Sequence, residues 1–224
     1  PSVETYVLDV TNSDHIQHLC NAAKSGGGID AIIHTVGISP TMGSWEKIIE
    51  LDLIGSIDFL ETIRPELNEG CAVVIISSMS AYMAADNPAL EKLLANPLAA
   101  GLMDQLKTLE HQAIQNSGMA YSYAKRALKH YVGAQARSWG RESKRLVSIA
   151  PGLIATEMGM QENAAHEEGF KAMMQMVAID RMGQAEDIAN TALFLVSDKA
   201  AYICGIDILV DGGIVAAMEA RKRQ

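Results

Sequence analysis

Ala72-Val73-Val74-Ile75-Ile76-Ser77 is a run of five apolar residues closed by a hydroxyl. A strand half open to water would show a polar residue at every second place; this one shows none, so it reads as a strand covered on both faces. The pattern recurs at Ala31-Ile32-Ile33-His34-Thr35-Val36, ended by Gly37, and at Leu146-Val147-Ser148-Ile149-Ala150, stopped by Pro151-Gly152. It returns at residues 206–210, ended by Asp211-Gly212-Gly213, and residues 5–9 (TYVLD) form a further short strand candidate. Helical patterns lie between them: one after the N-cap candidates Thr11-Asn12-Ser13, one over residues 44–67, one from Tyr121 to about Gly140, and one over residues 185–196. Gly26-Gly27-Gly28 precedes a strand instead of linking a strand to a helix, so it reads as a connector and not a phosphate cradle. Strands alternating with helices predict an α/β fold with a doubly wound, Rossmann-like parallel sheet. Ligands in such sheets bind at the carboxyl ends of the strands, where Gly37, Ser78, Pro151-Gly152 and Asp211 can converge.

With 224 residues, 49% of them hydrophobic, the chain is long enough for one sizeable core and reads as a single domain. No apolar run approaches the roughly 20 residues that span a bilayer, and no signal-peptide pattern opens the chain. Cys20, Cys71 and Cys204 are odd in number and far apart, which suits free thiols in a cytoplasmic protein better than a disulfide or metal framework. A net charge of −9 argues against nucleic acid as a partner. The methionines of residues 153–180 (Met158, Met160, Met173, Met174, Met176) suit a mobile, adaptable apolar lid as well as plain core filling.

Tyr121-Ser122-Tyr123-Ala124-Lys125 carries the chemistry. Four residues apart on a helix, Tyr121 and Lys125 share a face. A free phenol has a pKa of about 10, and a neighbouring ammonium favours its ionised form at about 1.4 kcal/mol per tenfold change. Such a pair makes a tyrosine able to trade protons near neutrality, although the spacing alone equally describes an exposed ion-pair face.

In order along the chain, Leu8-Asp9-Val10, His34 to Gly37, Ser77-Ser78, Tyr121 to Lys125, Pro151-Gly152-Leu153-Ile154-Ala155-Thr156, Arg181-Met182-Gly183 and Gly205 through Gly213 resemble the short-chain dehydrogenase/reductase family. Forty-three residues separate Ser78 from Tyr121, more than the usual family pattern. The inserted helical segment at about 81–119 is similar to the bacterial 3α-hydroxysteroid dehydrogenase/carbonyl reductase branch. The resemblance implies an oxidoreductase that moves a hydride between NAD or NADP and a secondary alcohol or ketone, steroid-like or otherwise apolar and cyclic, in a homodimer or homotetramer. It implies Tyr121 as the proton-transfer group, Lys125 as its tuner and ribose ligand, and Ser78 as the donor to the substrate oxygen. Asp9 and Val10 would flank the adenine, Gly37 would let backbone approach the cofactor, and Pro151, Gly152, Ile154 and Thr156 would line the nicotinamide.

Three departures qualify this expectation. The family's Asn-Asn-Ala-Gly reads His34-Thr35-Val36-Gly37 here, and its helix asparagine is replaced by Asp52, a catalytic-site acid whose charge would oppose Lys125. No Thr-Gly-x-x-x-Gly-x-Gly loop occurs, which with the altered 34–37 segment leaves a non-catalytic nucleotide-binding scaffold as the alternative. We expect the functional protein to carry a strand, Gly-rich turn, helix and strand ahead of Pro1. An intact mass above 24.1 kDa for the native protein is the expected outcome, and 24.1 kDa itself would refute it.

Overall fold

A computed structural model of the chain describes residues 3–109 and 114–223. Asn12 accepts hydrogen bonds from the amides of Asp14 and His15 and so starts helix α1 (Ser13–Ser25). Gly27 and Gly28, both at positive φ, turn the chain into strand β1 (Ile29–His34). Helix α2 (Trp45–Ile48), a π-helical turn (Ile49–Gly55) and helix α3 (Ser56–Ile63) follow one another directly. A 3-10 turn holding Pro65 leads into β2 (Leu67–Ile76). Helix α4 (Pro88–Leu94), capped by Asn87, α5 (Leu102–Thr108) and α6 (Ser117–Arg141) precede β3 (Arg145–Pro151). Helices α7 (Glu157–Ala165), α8 (Glu167–Met174) and α9 (Ala185–Val196), strand β4 (Asp207–Val210) and helix α10 (Ile214–Lys222) complete the order.

The four strands lie in the order β1-β2-β3-β4, every pair parallel. Alternate residues of β2 serve opposite layers, as the two-residue pleat requires. Val73 and Ile75 join the cluster of Ile48, Leu53, Leu60, Leu128 and Trp139. Val74 joins Val147, Ile149, Ala192 and Leu195 beneath α9. The unbroken apolar run therefore has helices on both sides, as its composition predicts.

One expectation is overturned and two gain detail. Residues 5–9 form no strand: they lie exposed apart from Leu8, with no ladder partner among the described residues, and an extended segment without cross-strand hydrogen bonds is not a strand. Residues 153–180, read from the sequence as a lid, contain two helices, α7 and α8. Thr156 caps α7 by accepting from the Gly159 amide, and Met173, Met174 and Met176 pack on Met79 and Val177. The 81–119 stretch is divided, because Asn87-Pro88 and Asn96-Pro97 interrupt it as their turn chemistry predicts; its residues 110–113 lie outside the described residues.

The end of β1 places His34 in the core, 4% exposed. Its Nε2 sits 2.9 Å from Ser56 Oγ, and its ring stacks on Phe59 with centroids 5.3 Å apart. Burial first and the Lys125 ammonium second pull its pKa from 6.5 down to about 4. Between those two values the unfolded chain binds a proton that the folded chain refuses, so stability falls as pH drops through this window. At pH 5 His34 alone is expected to cost about 2 kcal/mol relative to pH 7. Urea titrations at both pH values should show a flatter dependence for His34→Asn, and an unchanged difference would rule this assignment out.

Candidate active site

A cavity of about 500 Å³ opens at the carboxyl ends of β2 and β3. Ser78 and Tyr121 lie on its wall together with Pro151, Gly152, Ile154 and Thr156. Ser78 follows β2 and opens a 3-10 turn, Met79–Tyr82, where its Oγ accepts a hydrogen bond from Ser80 N at 3.2 Å. That bond occupies a lone pair and leaves the hydroxyl proton free to be donated elsewhere. Tyr121 stands in the first turns of α6, which Asn116 starts by accepting from the Met119 amide. Gly152 is needed where it stands: a Cβ there would lie 2.5 Å from Asp211 Cα. Asp211 in turn accepts from the amides of Gly213 and Val215, fixing the entry to α10.

Lys125 and Asp52, which are not on the cavity surface, form a buried pair beside the half-buried Gly37. Lys125 is 3% exposed, with Nζ 5.4 Å from the Tyr121 ring centroid and 3.3 Å from both Asp52 Oδ2 and Ile76 O. Asp52 is fully buried in the π-helical turn, and its Oδ1 accepts from Ile38 N at 2.8 Å. Such wide turns commonly accompany functional positions because the extra residue re-aims a side chain. Burial raises the Asp52 pKa, opposed by the Lys125 ammonium and the Ile38 amide. Oδ2 lies close to Lys125 but obliquely, and has no hydrogen bond among the described residues. A Cβ on Gly37 would stand 3.0 Å from Lys125 Nζ and 3.2 Å from Asp52 Oδ2, so a side chain there would wedge the pair apart.

Asp9 and Val10 lie elsewhere. The Asp9 carboxylate accepts from Thr11 N and Oγ1 at 2.9 and 2.7 Å, bonds that hold its pKa below the usual value. Val10 is 3% exposed and packs against Gly55 of the π-helical turn.

Several cavity groups are absent from the sequence motifs. Glu162 of α7 accepts from Thr41 N at 2.8 Å and Thr41 Oγ1 at 2.5 Å, joining the α7 side of the cavity to the turn after β1. Asn163 Nδ2 and Ser80 Oγ belong to the cavity lining and are buried without a hydrogen-bond partner among the described residues. Contacts between residues 121 positions apart, such as Thr41 with Glu162, leave no local pattern to read.

Comparison with known proteins bears on the family and the fold. A family model described as enoyl-(acyl carrier protein) reductase matches residues 1–95 and 99–215. The 3-alpha-hydroxysteroid dehydrogenase/carbonyl reductase of Comamonas testosteroni is 32% identical over 204 residues, covering 88% of this chain and 76% of the relative. Short-chain dehydrogenase/reductase bsc3 of Alternaria brassicicola is 28% identical over 212 residues, 93% of this chain and 77% of that one. The crystal structure of 3-alpha-hydroxysteroid dehydrogenase from Pseudomonas sp. B-0831 complexed with NADH shares the fold at a TM-score of 0.77 and 22% identity, over 95% of this chain and 84% of that chain. Joined to the parallel sheet and the cavity at its carboxyl edge, these matches show that the chain belongs to the short-chain dehydrogenase/reductase family of NAD(P)-dependent oxidoreductases acting on alcohols and ketones.

Proposed function

We propose that the cavity interconverts a ketone and a secondary alcohol on an apolar, cyclic, steroid-like body. The observation that carries this reading is the shared wall: Ser78 and Tyr121 line one cavity with Met79, Leu153, Met158, Phe170 and Met173, beside polar groups that include Ser80, Glu162 and Asn163. The name of the Comamonas relative supports the substrate class.

In reduction, the Tyr121 phenol gives its proton to the substrate oxygen; in oxidation, the phenolate takes it back. Ser78 donates to that oxygen as negative charge builds on it, a fixed dipole that needs no rearrangement at the moment of reaction. Lys125 favours the Tyr121 phenolate through its charge, and Asp52 limits that effect. The residues present fit a nicotinamide nucleotide, since Ser80 Oγ and Asn163 Nδ2 belong to the cavity lining and are polar atoms without a partner among the described residues. When bound, NAD or NADP supplies or accepts the hydride. Pro151, Gly152, Ile154 and Thr156 would line the nicotinamide, and Lys125 would hold the adjoining ribose. Asp9 and Val10 would stand near the adenine. Helix α4 covers part of α6 through the pair of its Glu91 with Arg126, and Arg126 also donates to Ala84 O just ahead of α4, so assembly into a dimer or tetramer would use the remaining surface.

Cyclohexanone, acetophenone and 5α-androstan-17β-ol-3-one with NADH and NADPH make the test. At least one should be reduced by the parent protein, and Tyr121→Phe should lower kcat by about 100- to 10,000-fold while nucleotide binding persists. Nucleotide binding with no turnover in the parent would favour the scaffold alternative. Asp52→Asn removes the charge that opposes Lys125, so the Tyr121 proton leaves more easily. The acidic limb of the alcohol-oxidation profile is expected about 1 pH unit lower than in the parent, and an unmoved limb would exclude this role for Asp52.

A further inference from the structure

Asp207 opens β4 as a lone acid in an apolar strand, opposite Ser148 of β3. Its two oxygens are engaged on either side of Ser78. Ser77 Oγ, in a residue 1% exposed, lies 2.6 Å from Asp207 Oδ1 and 3.0 Å from Ile149 O. Ile149 O already receives the Ser77 amide at 2.8 Å, and the carboxylate is nearer and charged, so the hydroxyl proton belongs to Asp207. Tyr82, the last residue of the turn that Ser78 starts, donates its phenol to Asp207 Oδ2 at 2.8 Å. Burial and the Asp207 charge push the Tyr82 phenol well above its ordinary pKa, so it remains a donor. Lys129 Nζ stands 3.6 Å from the Tyr82 ring centroid and pins the ring from the α6 side.

We propose that Asp207 is a positioning residue for Ser78, gripping the residue before it and the end of the turn after it so that the Ser78 hydroxyl meets the substrate oxygen. The inference rests on the proposed role of Ser78. Accepting from Ser77 and Tyr82 across β3, Asp207 of β4 fixes the turn at both ends while Ser80 N fixes the hydroxyl within it. A displacement of the hydroxyl by as little as 1 Å is enough to cost about 100-fold in rate.

The test is a double-mutant cycle between Asp207→Ala and Ser78→Ala, assayed with whichever of the three ketones the parent reduces fastest. Asp207→Ala is expected to lower kcat by about 10- to 100-fold with KM and nucleotide affinity nearly unchanged. In the Ser78→Ala background the same change should cost less than about 3-fold, because the group it positions is gone. Asp207→Asn, which keeps an acceptor for Ser77, should recover most of the parent rate. If Asp207→Ala fails to fold, Ser77→Ala and Tyr82→Phe each remove one arm of the grip and should show the same dependence on Ser78. Equal losses in both backgrounds would reduce Asp207 to a structural tie and overturn the inference alone. A parent that reduces no ketone would overturn the enzymatic reading and this inference with it.

Discussion

An ammonium that is 3% exposed must be partnered, and the burial of Lys125 dictates much of what surrounds it. Asp52 supplies the countercharge and Ile76 O the acceptor, each 3.3 Å from Nζ. For Asp52 to reach inward, the helix between Trp45 and Ile63 widens into a π-helical turn. Gly37 leaves room for the pair, since a Cβ there would sit 3.0 Å from the ammonium and press on it. The Ile38 amide then takes the other Asp52 oxygen, tying the exit of β1 to the same point. A buried pair of this kind is weak evidence of stability, because desolvation consumes most of the Coulomb gain. What it does accomplish is placement: β1, β2, the π-helical turn and α6 meet at one charge, directly behind Tyr121.

The sheet transmits that order sideways. Parallel strands deliver successive loops to one edge, so Ser78 after β2 and Gly152 at the end of β3 arrive as neighbours without any local sequence relation. Asp207 extends the connection by one more strand, from β4 past β3 to the residue before Ser78. Gly152 and Asp211 show the same economy of space, with the two backbones too close for any Cβ on the glycine. The reacting end of the cavity is therefore held by short charged or backbone contacts on three sides.

Uninterrupted apolar strands were easy to read because burial on both faces writes itself directly into composition. β1, β2, β3 and β4 lie within a few residues of the runs that announce them, and α9 has the bounds that its pattern predicts. Residues 5–9 misled because strand propensity says nothing about a partner, and pairing is a property of the sheet. In residues 153–180 many methionines and scattered polar residues hide two helices whose ends are set by Thr156 and by His166. Ser78 and Tyr121 were legible through their motif context, and the structure brings them to one cavity. Glu162 with Thr41, and Asp207 with Ser77 and Tyr82, were not, since each joins residues more than a hundred positions apart. Asp207 did leave a trace, as the acid inside an otherwise apolar strand.

The far side of the cavity obeys a different rule. Neither α7 nor α8 contains a fully buried residue, whereas α6, which carries Tyr121, contains eight. Helices with little buried apolar area open locally at low cost, so the two walls of one cavity differ in how readily they move. Glu162 spans that difference by accepting two hydrogen bonds from Thr41, on the turn following β1. Separating α7 from that turn breaks both bonds but exposes little apolar surface, so the barrier to opening is mainly polar and water can replace it. The wall built by α7 and α8 can then adapt to the bulk of a substrate while Tyr121 and Ser78 keep their places, because the contacts that fix those two groups lie in the sheet and α6 and not in α7 or α8.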